Sequence, residues 1–327
     1  MISENELQIL LNKWDDYKIY YPPTTNHCFI EASASPEGCI LNLNTNELDN
    51  LNFPEEIMEE IPNKKDLRDC LLASGCIDYK NKNEVSEIVK NRIRNSHKKL
   101  YVSIDTNILY QRFISRSELK NERIVIARTV VTEILKAMNY KYNQTNLRKI
   151  RSFFGAQGHF IDELFNKRMK KSRKAAYLAM KEYKILDRLI TDEYDMEVKD
   201  YSENDLKIVK ELKKFEKKAD VGILFLTADD CMTDLCTMNN LEFFLFEIPQ
   251  ISNRIECSFK QFRALILNLA TIFGFIQLNS AIIFGEFKGK IKNKDDLKIR
   301  FENNSIYKEV KKEIKICREL AKLKFDF

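Results

Sequence analysis

The sequence predicts an α/β protein: a central parallel sheet flanked by helices in a Rossmann-like three-layer arrangement, with α+β extensions at the N- and C-termini. Three observations carry this reading. Residues 101–110, YVSIDTNILY, run an apolar, β-prone segment (Val102, Ile104) straight into Asp105, Thr106 and Asn107, as a buried strand ending in a carboxylate at a helix start. From Leu100 onward strand-like and helix-like segments alternate, as βαβ units in a parallel sheet require. Residues 221–226 (VGILFL) form a continuous apolar run, the pattern of a central parallel strand covered on both faces.

The chain has 327 residues, 44% of them apolar, enough for about two domains with a sizeable core. Residues 1–97 read as a small α+β unit. Within it, 29–43 (FIEASASPEGCILNL) is a hairpin around a Ser-Pro-Glu-Gly turn, and 66–73 and 84–94 are helices. The α/β segment spans 98–250. Its elements after 101–110 are a short strand at 123–127 (RIVIA), an amphipathic helix at 129–138, and basic helices at 145–154 and 162–190. A helix opening at Ser202, the strand 221–226 and a strand at 241–246 complete it. Ser202-Glu203-Asn204-Asp205 resembles a capping box that puts Asp205 at the third helical position. Residues 251–327 then form an α+β extension: a helix near 259–269, strands at 281–290 and 297–301 around a charged turn, and a Lys/Glu-rich helix at 305–324.

Composition excludes several classes. The eight cysteines are dispersed, with no Cys-x-x-Cys pair and no His spacing of a structural zinc site, so reduced thiols are expected. The N-terminus is polar and acidic, unlike a signal peptide, and the longest apolar tract, 264–284, is interrupted by Asn268, Thr271, Gly274, Gln277 and Asn279. A cytoplasmic protein without a membrane span is the expectation. Net charge is only +5, but 141–190 holds 13 Lys or Arg against 4 Asp or Glu. Arg148, Lys149, Arg151, Lys167, Arg168, Lys170, Lys171, Arg173 and Lys174 therefore make a candidate platform for a nucleic-acid backbone. Taken singly, each has the plainer reading of a solvated helix face.

Four acids occupy comparable places: Asp105 after the first strand, Glu133 on the second helix, Asp205 near a helix start and Asp229 after a later strand. In an open parallel sheet these places converge on one edge, where ligands bind. Clustered carboxylates raise one another's pKa unless a cation bridges them, and a hard divalent ion suits oxygen donors. The plainer alternative is that these acids are helix caps. A phosphohydrolase with an Asp nucleophile is disfavoured because Asn107 stands where its partner acid belongs.

The strand-Asp105-Thr106-Asn107 start, the Val130-x-x-Glu133 helix, the helix-start Asp205 and the Leu226-Thr227-Ala228-Asp229 strand end resemble, in order, the four motifs of PIN-domain ribonucleases. The resemblance covers roughly 99–248. It implies an acidic tetrad of Asp105, Glu133, Asp205 and Asp229 holding Mg²⁺ or Mn²⁺, supported by Asn107 and Thr227, and hydrolysis of RNA by metal-activated water. Asp230 reads either as a fifth acid or as a helix cap. RNA, single-stranded or structured, is the expected partner, with homo-oligomerisation or a protein partner on the terminal regions left open. The alternative is a non-catalytic RNA-binding or assembly factor that retains the fold.

Overall fold

A computed structural model of the chain describes residues 1–23, 28–49, 58, 61–139, 144–164, 176–196, 201–285 and 296–322. Two compact units emerge: one from Met1–Cys76, Lys141–Ser172 and Ile251–Phe327, the other from Ile77–Tyr140 and Arg173–Gln250. In chain order the strands are β1 (Asp16–Tyr20), β2 (Ile30–Ser35), β3 (Gly38–Leu43), β4 (Leu100–Ile104), β5 (Ile124–Ile126) and β6 (Arg188–Ile190). They continue with β7 (Gly222–Thr227), β8 (Glu242–Leu245), β9 (Arg254–Cys257), β10 (Phe275–Leu278), β11 (Ala281–Phe284) and β12 (Lys298–Phe301).

The first unit is built on an antiparallel sheet in the order β12-β11-β10-β1-β2-β3-β9. The N-terminal strands β1, β2 and β3 lie together in its middle with C-terminal strands on both sides, because β10 pairs with β1 and β9 with β3. The terminal segments that the sequence keeps apart, 1–97 and 251–327, therefore meet in one sheet, while the helix Lys82–Asn95 falls in the second unit. The expected hairpin closes with Ser35 opposite Gly38, leaving Pro36 and Glu37 as its loop. A second hairpin, β10–β11, lies inside the apolar tract 264–284, where the sequence suggested a helix and one strand. Asn279 enables its tight turn by adopting φ 48°, which asparagine tolerates better than most residues. The helices Lys64–Ser74 and Phe259–Ile272, each started by a full capping box, bury their apolar sides within this unit. Phe160 packs on Phe275 with ring centres 5.6 Å apart, so aromatics of the basic segment contribute to this core.

The second unit is the expected α/β fold, five parallel strands in the order β6-β5-β4-β7-β8 with helices around them. The chain leaves β4 toward β5 and β6, then returns to the other side of β4 with β7 and β8. That reversal makes the carboxyl ends of β4 and β7 the place where a crevice opens in such sheets. The register aligns these ends, with Ile104 opposite Leu226 and the Asp105 N–H donating to the Leu226 carbonyl at 3.0 Å. One expectation fails here: residues 188–190, read as the end of a helix, form the edge strand β6 beside β5, and the helix before them is Ala176–Ile185. Three residues of strand are too short for a period-2 pattern to register.

Two fully buried acids lock the helices of this unit. Glu182 accepts the Ser115 N–H at 2.7 Å and the Ser115 hydroxyl at 2.6 Å. Glu211, on the helix Tyr201–Ala219, accepts the N–H and hydroxyl of Thr129 at 2.9 Å each, at the start of the helix Arg128–Asn139. The eight cysteines are free thiols, and among the described residues no helix is long and apolar enough to cross a membrane.

Glu211 ties together the two helices that carry Glu133 and Asp205. Glu211→Ala leaves two buried donors unpaired and is expected to cost about 3 kcal/mol or more in urea unfolding, with Glu211→Gln losing less. An unchanged midpoint for the alanine variant would contradict this clamp.

Candidate active site

Asp105 follows β4 and caps the helix Thr106–Tyr110, with extended backbone at φ −73°, ψ 161°. Its Oδ1 accepts the Thr106 N–H at 2.6 Å. Its Oδ2 accepts the Thr227 hydroxyl at 3.1 Å and the Asn107 side-chain amide at 3.3 Å. Three of the roughly four lone-pair positions of a carboxylate are thus filled. Thr227, the last residue of β7, also receives the Asp229 N–H on its hydroxyl oxygen at 3.0 Å, so one buried threonine links Asp105 to the Asp229 backbone.

Asp229 caps the helix Asp230–Met238 by accepting the Cys231 N–H at 2.9 Å. The cap is therefore Asp229, and Asp230 is an exposed residue of the first turn. Glu133 receives the Thr106 hydroxyl on Oε2 at 2.7 Å, and the neighbouring Asn204 side chain favours its charged form. Asp205 stands one turn into its helix rather than at the third position, because the helix starts at Tyr201. Thr106 and Asn204 are the contributors that motif reading overlooks. Both lie inside the quoted motifs, beside an acid, and only the fold shows that they serve Glu133 rather than their neighbours.

The acids sense one another. Asp105 is only 5% exposed, and burial pushes its pKa up to about 7; the Thr106 N–H and Thr227 hydroxyl oppose this, while Asp205 and Glu133 add to it. Burial likewise raises Glu133, against the Thr106 hydrogen bond and with Asp205 reinforcing it. Asp205 is raised by burial and then by Asp229. Among the described residues no Lys or Arg forms an ion pair with any of the four, although Lys136 lowers Glu133 slightly through space. The all-oxygen donor set, lacking a cationic partner, suits a hard divalent ion. Yet among the described residues no three His, Cys, Asp or Glu side chains are arranged to hold a metal. Magnesium commonly takes one or two carboxylates and completes its shell with water, so a third converging ligand is not required.

Of the basic candidates, Arg148 and Lys149 are exposed on the helix Gln144–Phe153 of the first unit, and Arg151 is paired with Asp162 at 2.7 Å. Lys167, Arg168, Lys170, Lys171, Arg173 and Lys174 lie outside the described residues. Phe154 is core, whereas Phe153 is 43% exposed.

Residues 101–244 match the family model described as PIN domain. Comparison with curated proteins returns no match.

A carboxyl whose pKa is higher folded than unfolded binds more protons in the folded state between those two values, so stability falls as pH rises through them. For Asp105 the window runs from about 4, its unfolded value, to about 7. In chelator, wild-type stability should drop across it by on the order of 2–4 kcal/mol more than that of Asp105→Asn. Parallel pH profiles of the two proteins would contradict the assignment.

Proposed function

Since the chain carries a PIN domain over residues 101–244, and PIN domains are generally nucleases that usually use divalent metals, we propose that it is a Mg²⁺- or Mn²⁺-dependent endoribonuclease. The observation that carries this is a chain of acids that raise one another's proton affinity, Asp105 and Asp229 after β4 and β7 with Glu133 and Asp205 on the adjoining helices, none of them in an ion pair with Lys or Arg among the described residues. Asp105 is the principal ligand, held in one orientation by three donors, and Glu133, Asp205 and Asp229 complete the acidic tetrad. A divalent ion bound there supplies charge neutralisation for the phosphodiester and a water of lowered pKa.

The chain's own residues do the rest. Thr227 and Asn107 fix the Asp105 carboxylate, and the Thr106 hydroxyl fixes Glu133. Glu133, its proton affinity raised by burial, is suited to take up the proton that water loses as it attacks phosphorus, while the P–O bond to the leaving ribose oxygen breaks and that oxygen takes a proton from solvent. Thr227 couples Asp105 to Asp229 through one hydroxyl, so the two strand ends act as a single rigid edge. The lack of a ready three-ligand cluster favours the second reading, a PIN fold that binds RNA without cutting it.

Incubation with RNA and Mn²⁺ separates the two. Asp105→Asn should cut at least about 100-fold more slowly while folding and binding RNA normally, and EDTA should act likewise. Thr106→Val, which only frees Glu133, should lose about 10- to 100-fold. RNA that shifts on a gel but is never cut with Mn²⁺ present establishes the binding factor instead.

A further inference from the structure

The helix Tyr201–Ala219 carries Lys207, Lys210, Lys214 and Lys218 at steps of three and four residues, which places them along one side. At the α-helical rise the row extends for about 16 Å, and at 3.6 residues per turn it runs on the side of the helix away from Asp205. An acidic stretch, 191–196 (TDEYDM), lies along it. Asp192 pairs with Lys218 at 2.7 Å and Glu193 with Lys207 at 2.8 Å, while Lys214 donates to the Glu193 carbonyl at 3.4 Å. The Lys210 ammonium sits 5.6 Å from the centre of the Tyr194 ring. Backbone bonds pin the strap, from Thr191 to the Ile126 carbonyl at 3.1 Å and from Tyr194 to Glu211 at 3.4 Å. The acidic side chains do not fill the space they cover: a cavity of about 320 Å³ remains, lined in part by Asp192, Lys214, Phe215 and Lys218.

We propose that this lysine row is a docking track for the phosphate backbone of single-stranded RNA, and that the acidic strap is an internal mimic of that backbone which RNA displaces. Lys218 and Asp192 are 71% and 66% exposed, whereas in the second pair Glu193 is 68% exposed and Lys207 only 11%. The exposed pair is weak and screened by salt, and both carboxylates are open to solvent, so a strand presenting several phosphates at once outcompetes them. The strap thereby imposes a threshold, because an isolated anion gains too little to lift it. Arg128 and Lys136 also act on Glu193 through space, extending the positive field toward Glu133. The inference rests on the nuclease reading for the identity of the polyanion.

The test is fluorescence anisotropy of a labelled oligouridine with the full chain in EDTA, so that nothing is cut. Asp192→Asn/Glu193→Gln should bind about 2- to 30-fold more tightly than wild type, as expected for releasing two surface ion pairs. Its salt dependence should steepen, because no freed carboxylates take up cations. Lys210→Gln/Lys214→Gln should bind more weakly, with the slope of log K against log salt reduced by about 1.4. Circular dichroism melts of both variants check that each is folded. Strap-neutralised protein binding no better than wild type, or lysine variants binding as well, overturns the proposal even if the protein is an active nuclease. Tighter binding by the strap variant, with no cleavage in a separate incubation with RNA and Mn²⁺, upholds it and counts only against the nuclease reading.

Discussion

The second unit is organised around the cost of burying Asp105. A carboxylate taken out of water is stable only when its oxygens meet donors or a cation. Three donors meet this one, and each is supplied by a separate structural decision: a helix that begins immediately after β4, a threonine that ends β7, and an asparagine in the first helical turn. They do not suffice, because Asp205 and Glu133 add repulsion to the burial, leaving the group with its pKa near 7. Among the described residues no Lys or Arg forms an ion pair with it. The nearby acids distinguish it from the other buried carboxylates: Glu182 has the Arg112 guanidinium at 3.9 Å beside its two bonds from Ser115, and Glu211 accepts four hydrogen bonds, from the Thr129 N–H and hydroxyl, the Thr191 hydroxyl and the Tyr194 N–H.

Much of this unit was legible in the sequence because its signals are local. The strands β4 and β7 are apolar runs that end in Asp105 and Thr227, and the helix bearing Glu133 shows a clear apolar period. What escaped was set by distant pairing. The edge strand β6 is three residues long and declares itself only by lying beside β5. Strands β1, β9 and β10 owe their state to partners far along the chain, so the terminal regions read as two extensions although they share one sheet. Within the site, the roles of Thr106 and Asn204 depend on where Glu133 arrives, and no spacing rule reports that. The cap at Asp229 was ambiguous with Asp230 because neighbouring acids look alike until a backbone N–H is seen to choose one.

Charge along the chain shows the same division. The basic stretch 141–190 stood out by count, yet Arg151 is committed to Asp162 and several apolar and aromatic side chains nearby are core. The lysines of the helix Tyr201–Ala219 drew no notice, since Glu and Asp are mixed among them in sequence. Folding sorts these charges. Lysines 207, 210, 214 and 218 gather along one side, and the facing acids belong to a segment that precedes the helix. One helix thus holds Asp205 near one end, the clamp Glu211 in its middle and the lysines along the other side.

Metal binding through Asp105 is tested most directly by isothermal titration of the chain with Mn²⁺ near pH 7, repeated in buffers of different ionisation enthalpy. Binding should release roughly half a proton per ion, because a carboxyl half-protonated at that pH must ionise to become a ligand. Asp105→Asn should abolish that proton release. A protein that binds no Mn²⁺ at millimolar concentration, or binds it with the same proton release after the substitution, would contradict the account.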